Sequence, residues 1–217
     1  MNIPNKFIIS SILFCLLTIS AASQTTVVVR QKQAPVETKH ASKAQSNRKV
    51  TWWVYYSFNE GLALAMTRDY KYGFVDKTGG IAINPRPWKN VLHFSEGLAR
   101  VQDNGGKYGF IDKTGKIVVP CQWKDAGSFF EGLASVQDDS GKYGYIDKTG
   151  KVVIPCKWKN SWLFSEGLAS VIDSNDKSGY IDKTGKLVIP CQWKNADSFH
   201  EGLARVADEN GKYGYID

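Results

Sequence analysis

From Trp52 to Asp217 the apolar positions follow one pattern that returns every 35 or 36 residues. In the copy from Trp123 to Lys157, Leu133 to Gln137 alternates in character, Tyr143 to Asp147 mixes aromatic and β-branched side chains, and Val152 to Ile154 is a continuous β-branched run. Short segments of this kind, bounded by Gly, Pro, Asp and Ser, predict strands. Asp147-Lys148-Thr149-Gly150 separates the second segment from the third. Its Asp bonds to its own backbone at the first turn position and its Gly supplies a positive φ, the signature of a type I turn followed by a glycine bulge. Asp138-Asp139-Ser140-Gly141 repeats that logic between the first two segments. Pro155 has no N–H to give a ladder and is expected to end the third strand. Each copy therefore predicts a three-stranded antiparallel meander.

Glu-Gly-Leu-Ala begins at Glu60, Glu96, Glu131, Glu166 and Glu201, and Asp-Lys-Thr-Gly begins at Asp112, Asp147 and Asp182, with Asp76-Lys77-Thr78-Gly79 as the earliest instance. A period in this range signals an array of supersecondary units, none of which buries its apolar face alone. The third segment is apolar at every position, as in Ile117-Val118-Val119 and Leu187-Val188-Ile189, which predicts a strand covered on both sides. The segment from each Trp to the next Glu has no period of two. Its Trp and Phe recur at one spacing, as in Trp88 with Phe94 and Trp123 with Phe129, and are expected to plug the joints between units. The fold class expected is all-β: four full repeats and a partial fifth over residues 50–217, stacked as a curved open array. The alternative is a closed five-unit, propeller-like ring, in which Lys49-Val50-Thr51 supplies the third strand that the fifth copy lacks before Asp217.

The stretch Lys107-Tyr108-Gly109-Phe110-Ile111-Asp112-Lys113-Thr114-Gly115-Lys116-Ile117-Val118-Val119-Pro120, followed by Phe129-Phe130-Glu131-Gly132-Leu133-Ala134, resembles the bacterial WG repeat, also called the KWG repeat. The likeness runs from Trp52 to Asp217. One departure is consistent: Tyr72, Tyr108, Tyr143 and Tyr213 stand where the family's Trp-Gly pair has Trp, and Ser178 stands there in the fourth copy. The resemblance implies a β-rich protein of a kind often exported and mostly without an assigned biochemical activity.

Two other kinds of sequence precede the repeats. Lys6, an apolar run from Phe7 to Ile19 and the small residues Ser20 to Ser23 read as a cleaved secretory signal over residues 1–23. The run falls short of the roughly 20 apolar residues that span a bilayer, so no transmembrane segment is expected after cleavage. Residues 24–49, rich in Gln, Thr, Ser, Ala and Lys, read as a flexible basic linker. That linker changes the meaning of the charge. Of 28 Lys+Arg and 21 Asp+Glu, residues 1–49 hold 7 and 1, so the repeats carry 21 and 20, a net charge of only +1. A nucleic-acid binder places its excess on the folded surface, so no nucleic-acid partner is expected. The expected location is exported: periplasmic, cell-surface or extracellular.

Comparison among the copies also bounds the chemistry. A residue present in every copy serves the unit, whereas catalysis needs one special place. The five Glu of Glu-Gly-Leu-Ala are therefore expected to accept bonds from loop amides, and the Asp residues to form turns. His40, His93 and His200 occupy non-equivalent positions with no metal-ligand spacing, and no Gly-x-Ser-x-Gly motif is present. No catalytic residue, metal or cofactor is expected. Cys121, Cys156 and Cys191 lie one repeat apart, a poor geometry for pairing, and read as small buried apolar groups. Variable positions remain for recognition. The loop after each Trp differs most, and Tyr55, Tyr56, Leu92, His93, Phe130, Trp162, Leu163 and His200 are the candidate partner-binding residues. The expected function is an exported, non-enzymatic binding or scaffold protein of a bacterial envelope that contacts another protein. The alternative is a carbohydrate-binding module that uses its exposed loop aromatics.

Overall fold

The computed structural model describes residues 58–217 and, as backbone, the strands Thr26–Val28 and Thr51–Val54. The segment read as a signal, most of the linker, and Tyr55 and Tyr56 lie outside the described residues. The described chain is all-β and forms five antiparallel sheets in sequence order, none closed into a barrel. The first contains β1 (Thr26–Val28), β2 (Thr51–Val54), β3 (Leu62–Thr67), β4 (Tyr72–Asp76) and β5 (Ile81–Arg86). The second contains β6 (Asn90–Ser95), β7 (Leu98–Gln102), β8 (Tyr108–Asp112) and β9 (Ile117–Trp123). The third contains β10 (Asp125–Ala126), β11 (Leu133–Gln137), β12 (Tyr143–Asp147) and β13 (Val152–Trp158). The fourth contains β14 (Asn160–Ser161), β15 (Leu168–Ile172), β16 (Ser178–Asp182) and β17 (Leu187–Trp193), and the fifth β18 (Asn195–Ala196), β19 (Ala204–Ala207) and β20 (Tyr213–Ile216).

The open curved array is therefore the architecture, with differences from the sequence expectation. Each meander gains a leading strand, so the second, third and fourth sheets have four strands, the first has five with β1, and the fifth has three. Thr26–Val28, inside the stretch read as a linker, pairs with β2. Among the described residues the ring-closing alternative is not what forms: Thr51–Val54 pairs with β3 of its own sheet, and β20 has no neighbour beyond β19.

The turns form as the residues dictate. Asp112 Oδ1 accepts from Thr114 N at 2.9 Å, Thr114 Oγ1 at 2.6 Å and Lys116 N at 3.0 Å, while Gly115 takes a φ of 81°. The third strand departs from expectation at its proline. It continues through Pro155 to Trp158, because β13 is an edge strand where a missing donor costs no ladder bond. Tyr143 stands opposite Trp158 and Tyr145 opposite Ile154, so the single residue Gly144 faces three, Pro155, Cys156 and Lys157. That bulge folds backbone over the glycine. A Cβ on Gly144 would lie 2.4 Å from Ile154 O and 2.7 Å from Cys156 N, so the site excludes every side chain. Gly109 and Gly179 are covered in the same way. The third strand is not covered on both sides either. Ile154 is buried, but Val152 and Val153 are 44 and 39% exposed, as an edge strand open along one side allows.

Between sheets, the expected Trp and Phe fill the joints. The cluster around Trp123 joins Phe110 and Val119 of the second sheet to Phe129, Ala134 and Val136 of the third unit. Across successive joints the loop Phe meets an aromatic ring of the preceding sheet: Phe74 with Phe94, Phe110 with Phe129, Tyr145 with Phe164, Tyr180 with Phe199, at centroid distances of 4.7 to 4.9 Å. Tilted and edge-to-face ring pairs at this distance are the favoured geometry.

Candidate functional site

Four of the five constant carboxylates, those of Glu60, Glu96, Glu131 and Glu166, prove to be fasteners between units. Each Glu-Gly pair forms the centre of a two-residue hairpin, with φ near +52° at Glu96 and +87° at Gly97. Left-handed φ disfavours Glu, so its recurrence there calls for a compensating contact. That contact crosses to the next unit. Gly132 N donates to Glu96 Oε2 at 2.9 Å and Lys148 Nζ lies 3.1 Å from the same oxygen. Glu60 meets Gly97 and Lys113, and Glu131 meets Gly167 and Lys183, at 3.0 Å for each contact. Partial burial pushes these three carboxyls up, but the Lys and amide partners outweigh it and hold them below the usual range. The expected bonds from loop amides are thus present.

The variable positions build something else. A groove of about 390 Å³ opens where the second, third and fourth units meet. Leu92 contributes from β6, Phe130 from the third unit's loop, and Trp162 and Leu163 from the fourth unit's loop. Phe130, Trp162 and Leu163 are 40, 41 and 41% exposed, so they do not serve as joint filler. Four of the eight candidate partner-binding residues therefore converge. His93 and His200 are exposed and do not line the groove.

The platform is held firmly. Tyr145 Oη donates to Trp162 O at 2.6 Å, and Trp162 N donates to Ser170 O at 3.0 Å, which fixes the loop backbone that displays the indole. Burial pushes the Tyr145 phenol up, so it remains a donor. Beneath the apolar rim lies a polar floor that the sequence reading did not single out: Arg100, Asp125, Ser135, Tyr143, Asn160 and Ser161. Asp125 Oδ2 accepts from Tyr143 Oη at 3.1 Å, and the hydroxyls of Ser135 and Ser161 meet at 2.5 Å. Arg100 donates through Nη1 to Ala126 O and stacks over Tyr108 at 4.8 Å, yet its buried Nε has no partner among the described residues. A signal for Arg100 was available in the copies. Its position holds Leu64, Ser135, Ser170 and Arg205 elsewhere, the same kind of variability that marked the loops.

Among the described residues no group of three or more His, Cys, Asp or Glu is placed to hold a metal ion, and no helix is long and apolar enough to cross a membrane. Cys121, Cys156 and Cys191 are free and half-buried rather than fully buried, each packed against a joint cluster. Burial pushes all three thiols up, which makes them poor nucleophiles.

No curated protein matches the chain significantly. Among solved structures it is similar to BamB from Moraxella catarrhalis, with 10% identity over 73% of this chain and 56% of that one and a TM-score of 0.42. It is also similar to the WD40 β-propeller domain of Doa1 (13% identity, 74 and 62% covered, TM-score 0.39) and to YCF48 bound to D1 peptide (11%, 77 and 64%, 0.42). The chain thus spans less than two thirds of each of these structures, and likeness of this degree carries no argument about its partner. The family model for the WG containing repeat matches four times in tandem, at residues 72–108, 108–142, 143–177 and 179–213. With its repeated glycine under a proline bulge and its interlocked joints, the chain belongs to the WG-containing repeat family.

Proposed function

We propose that the protein is a non-enzymatic binding or scaffold component of a bacterial envelope and that it docks a protein partner in the groove around Trp162. The observation that carries this reading is the convergence of four apolar side chains, three of them about 40% exposed, from three different units. Grouped exposed apolar side chains on a rigid frame are the usual mark of an interaction site. Export rests on the Lys6 and Phe7 to Ile19 pattern, and the absence of catalysis on the equivalence of the recurrent Glu, Asp and Cys. A second reading, carbohydrate binding, is favoured by one observation: the exposed Trp162 indole lines the groove with Asn160, whose amide nitrogen has no bond among the described residues.

The test is a Phe130→Ala/Trp162→Ala double variant probed on an immobilised random-peptide panel and on a glycan panel. Peptide binding by the parent that disappears in a variant with unchanged melting supports the proposal. Binding that persists in the variant contradicts it, and glycan binding without peptide binding selects the second reading.

A further inference from the structure

The guanidinium in the groove, which has no counter-ion among the described residues, narrows the partner's chemistry. Arg100 and Arg205 occupy the same repeat position, twelve residues after Trp88 and Trp193, and each stacks over the Tyr that opens the next strand, at 4.8 Å. They differ in what faces them four residues after the Trp. In the fifth unit it is Asp197, whose Oδ2 takes Arg205 Nε at 2.8 Å. In the second unit it is Leu92, and Arg100 makes no ion pair among the described residues. The fifth unit thus displays, within one chain, the counter-ion that the second unit omits. Asp125 shares the groove but does not take that place: its Oδ2 accepts from Tyr143 Oη, its Oδ1 from Ala126 N, and it forms no ion pair with Arg100.

An Arg held under a carbonyl and over a ring, with no counter-ion and its Nη2 unbonded among the described residues, is prearranged to give that nitrogen to an acceptor that brings its own charge. Around it the rim is apolar, through Leu92 and Leu163 beside Phe130 and Trp162, with Ala126 buried beneath it. Mixed aliphatic and aromatic walls pack against a large apolar side chain, and a guanidinium beside them selects for an acid. We infer that the groove accepts a peptide segment in which a carboxylate, from Asp, Glu or a chain terminus, lies next to a large apolar side chain. Arg100 receives the carboxylate and the Phe130, Trp162 and Leu163 rim receives the apolar group. This rests on the protein-docking reading and specifies the partner's chemistry.

The test is selection on an immobilised panel of random dodecapeptides with the full chain, followed by titration of the best binder and of the same peptide with its acid replaced by the matching amide. Selected peptides are expected to pair Asp or Glu with Leu, Phe or Trp. The amide peptide should bind at least about tenfold more weakly, as loss of a charge-assisted hydrogen bond implies. Arg100→Gln should abolish the preference for acid over amide while Arg205→Gln preserves it. The amide swap reads the same contact from the ligand's side, so it stands even where Arg100→Gln melts early. Peptides lost with Trp162→Ala but indifferent to the amide swap overturn this inference and leave the docking reading intact. No selected peptide, or binding that Trp162→Ala leaves unchanged, overturns both. Binding of an oligogalacturonide with no peptide binding assigns the acid to a sugar and overturns the inference.

Discussion

Tyr143-Gly144 and Tyr213-Gly214 are the same dipeptide at the same repeat position, and the third and fifth sheets treat it differently. In the third sheet β13 folds its proline bulge over Gly144, and the neighbouring Tyr145 is fully buried. In the fifth, no strand among the described residues lies beyond β20, Gly214 has nothing there within 4 Å of a Cβ, and Tyr213 and Tyr215 are 56 and 71% exposed. The contrast teaches that the dipeptide gets its meaning from the strand beside it. The glycine is required for cover by a neighbouring backbone, not for its own conformation, since its φ is not in the left-handed region.

The largest effect that sharpens this contrast comes from Gly144→Ala. Its Cβ would meet fixed backbone at 2.4 Å, so the variant is expected to lose the cooperative melting transition, while Gly214→Ala melts with the parent. Equal behaviour of the two variants in thermal circular dichroism would break the account. Next is the joint. Trp158→Ala removes a buried ring and is expected to cost about 3–5 kcal/mol by denaturant titration. Trp158→Phe should cost far less, because the indole N–H that it removes is buried without a partner.

Smaller still is the carboxylate fastener. Glu96→Gln keeps an acceptor for Gly132 N but loses the Lys148 ion pair, an effect of about 1 kcal/mol or less at a partly exposed site. The pH sense follows from the lowered carboxyl: its stabilisation is present above the unfolded value of about 4.3 and disappears as pH falls toward the folded value. The variant should therefore lose less stability than the parent as pH falls below about 5. The smallest effect lies on the open strand edge, where Val152→Thr should stay within about 0.5 kcal/mol of the parent while Ile154→Val, on the buried side of the same strand, costs about 0.5–1.5 kcal/mol.

Much of the array could be read from residues whose role is local. The Asp and Gly of each turn act within five residues, and the Trp and Phe spacing repeats, so both were legible before any coordinates. The proline bulge was not. Pro155 reads as a stop because a strand interior requires its N–H, and only the strand order reveals that β13 is an edge. The run Val152 to Ile154 misled for the same reason: continuous apolarity suggested burial on both sides, but one side faces no sheet. At the groove, variability among copies found Leu92, Phe130, Trp162 and Leu163. Arg100 and the polar floor escaped because their role depends on which residue the register sets opposite them, Leu92 in one unit and Asp197 in another.

The central claim is that the recurrent Trp, Phe and Glu fasten the units together, while the loop residues Phe130, Trp162 and Leu163 face outward and are not needed for the fold. The direct test is the melting temperature of Trp158→Ala beside that of Trp162→Ala. The account predicts a large drop for Trp158→Ala and a midpoint for Trp162→Ala that stays with the parent. Equal drops would place Trp162 in the joint and contradict the separation of fastening from recognition.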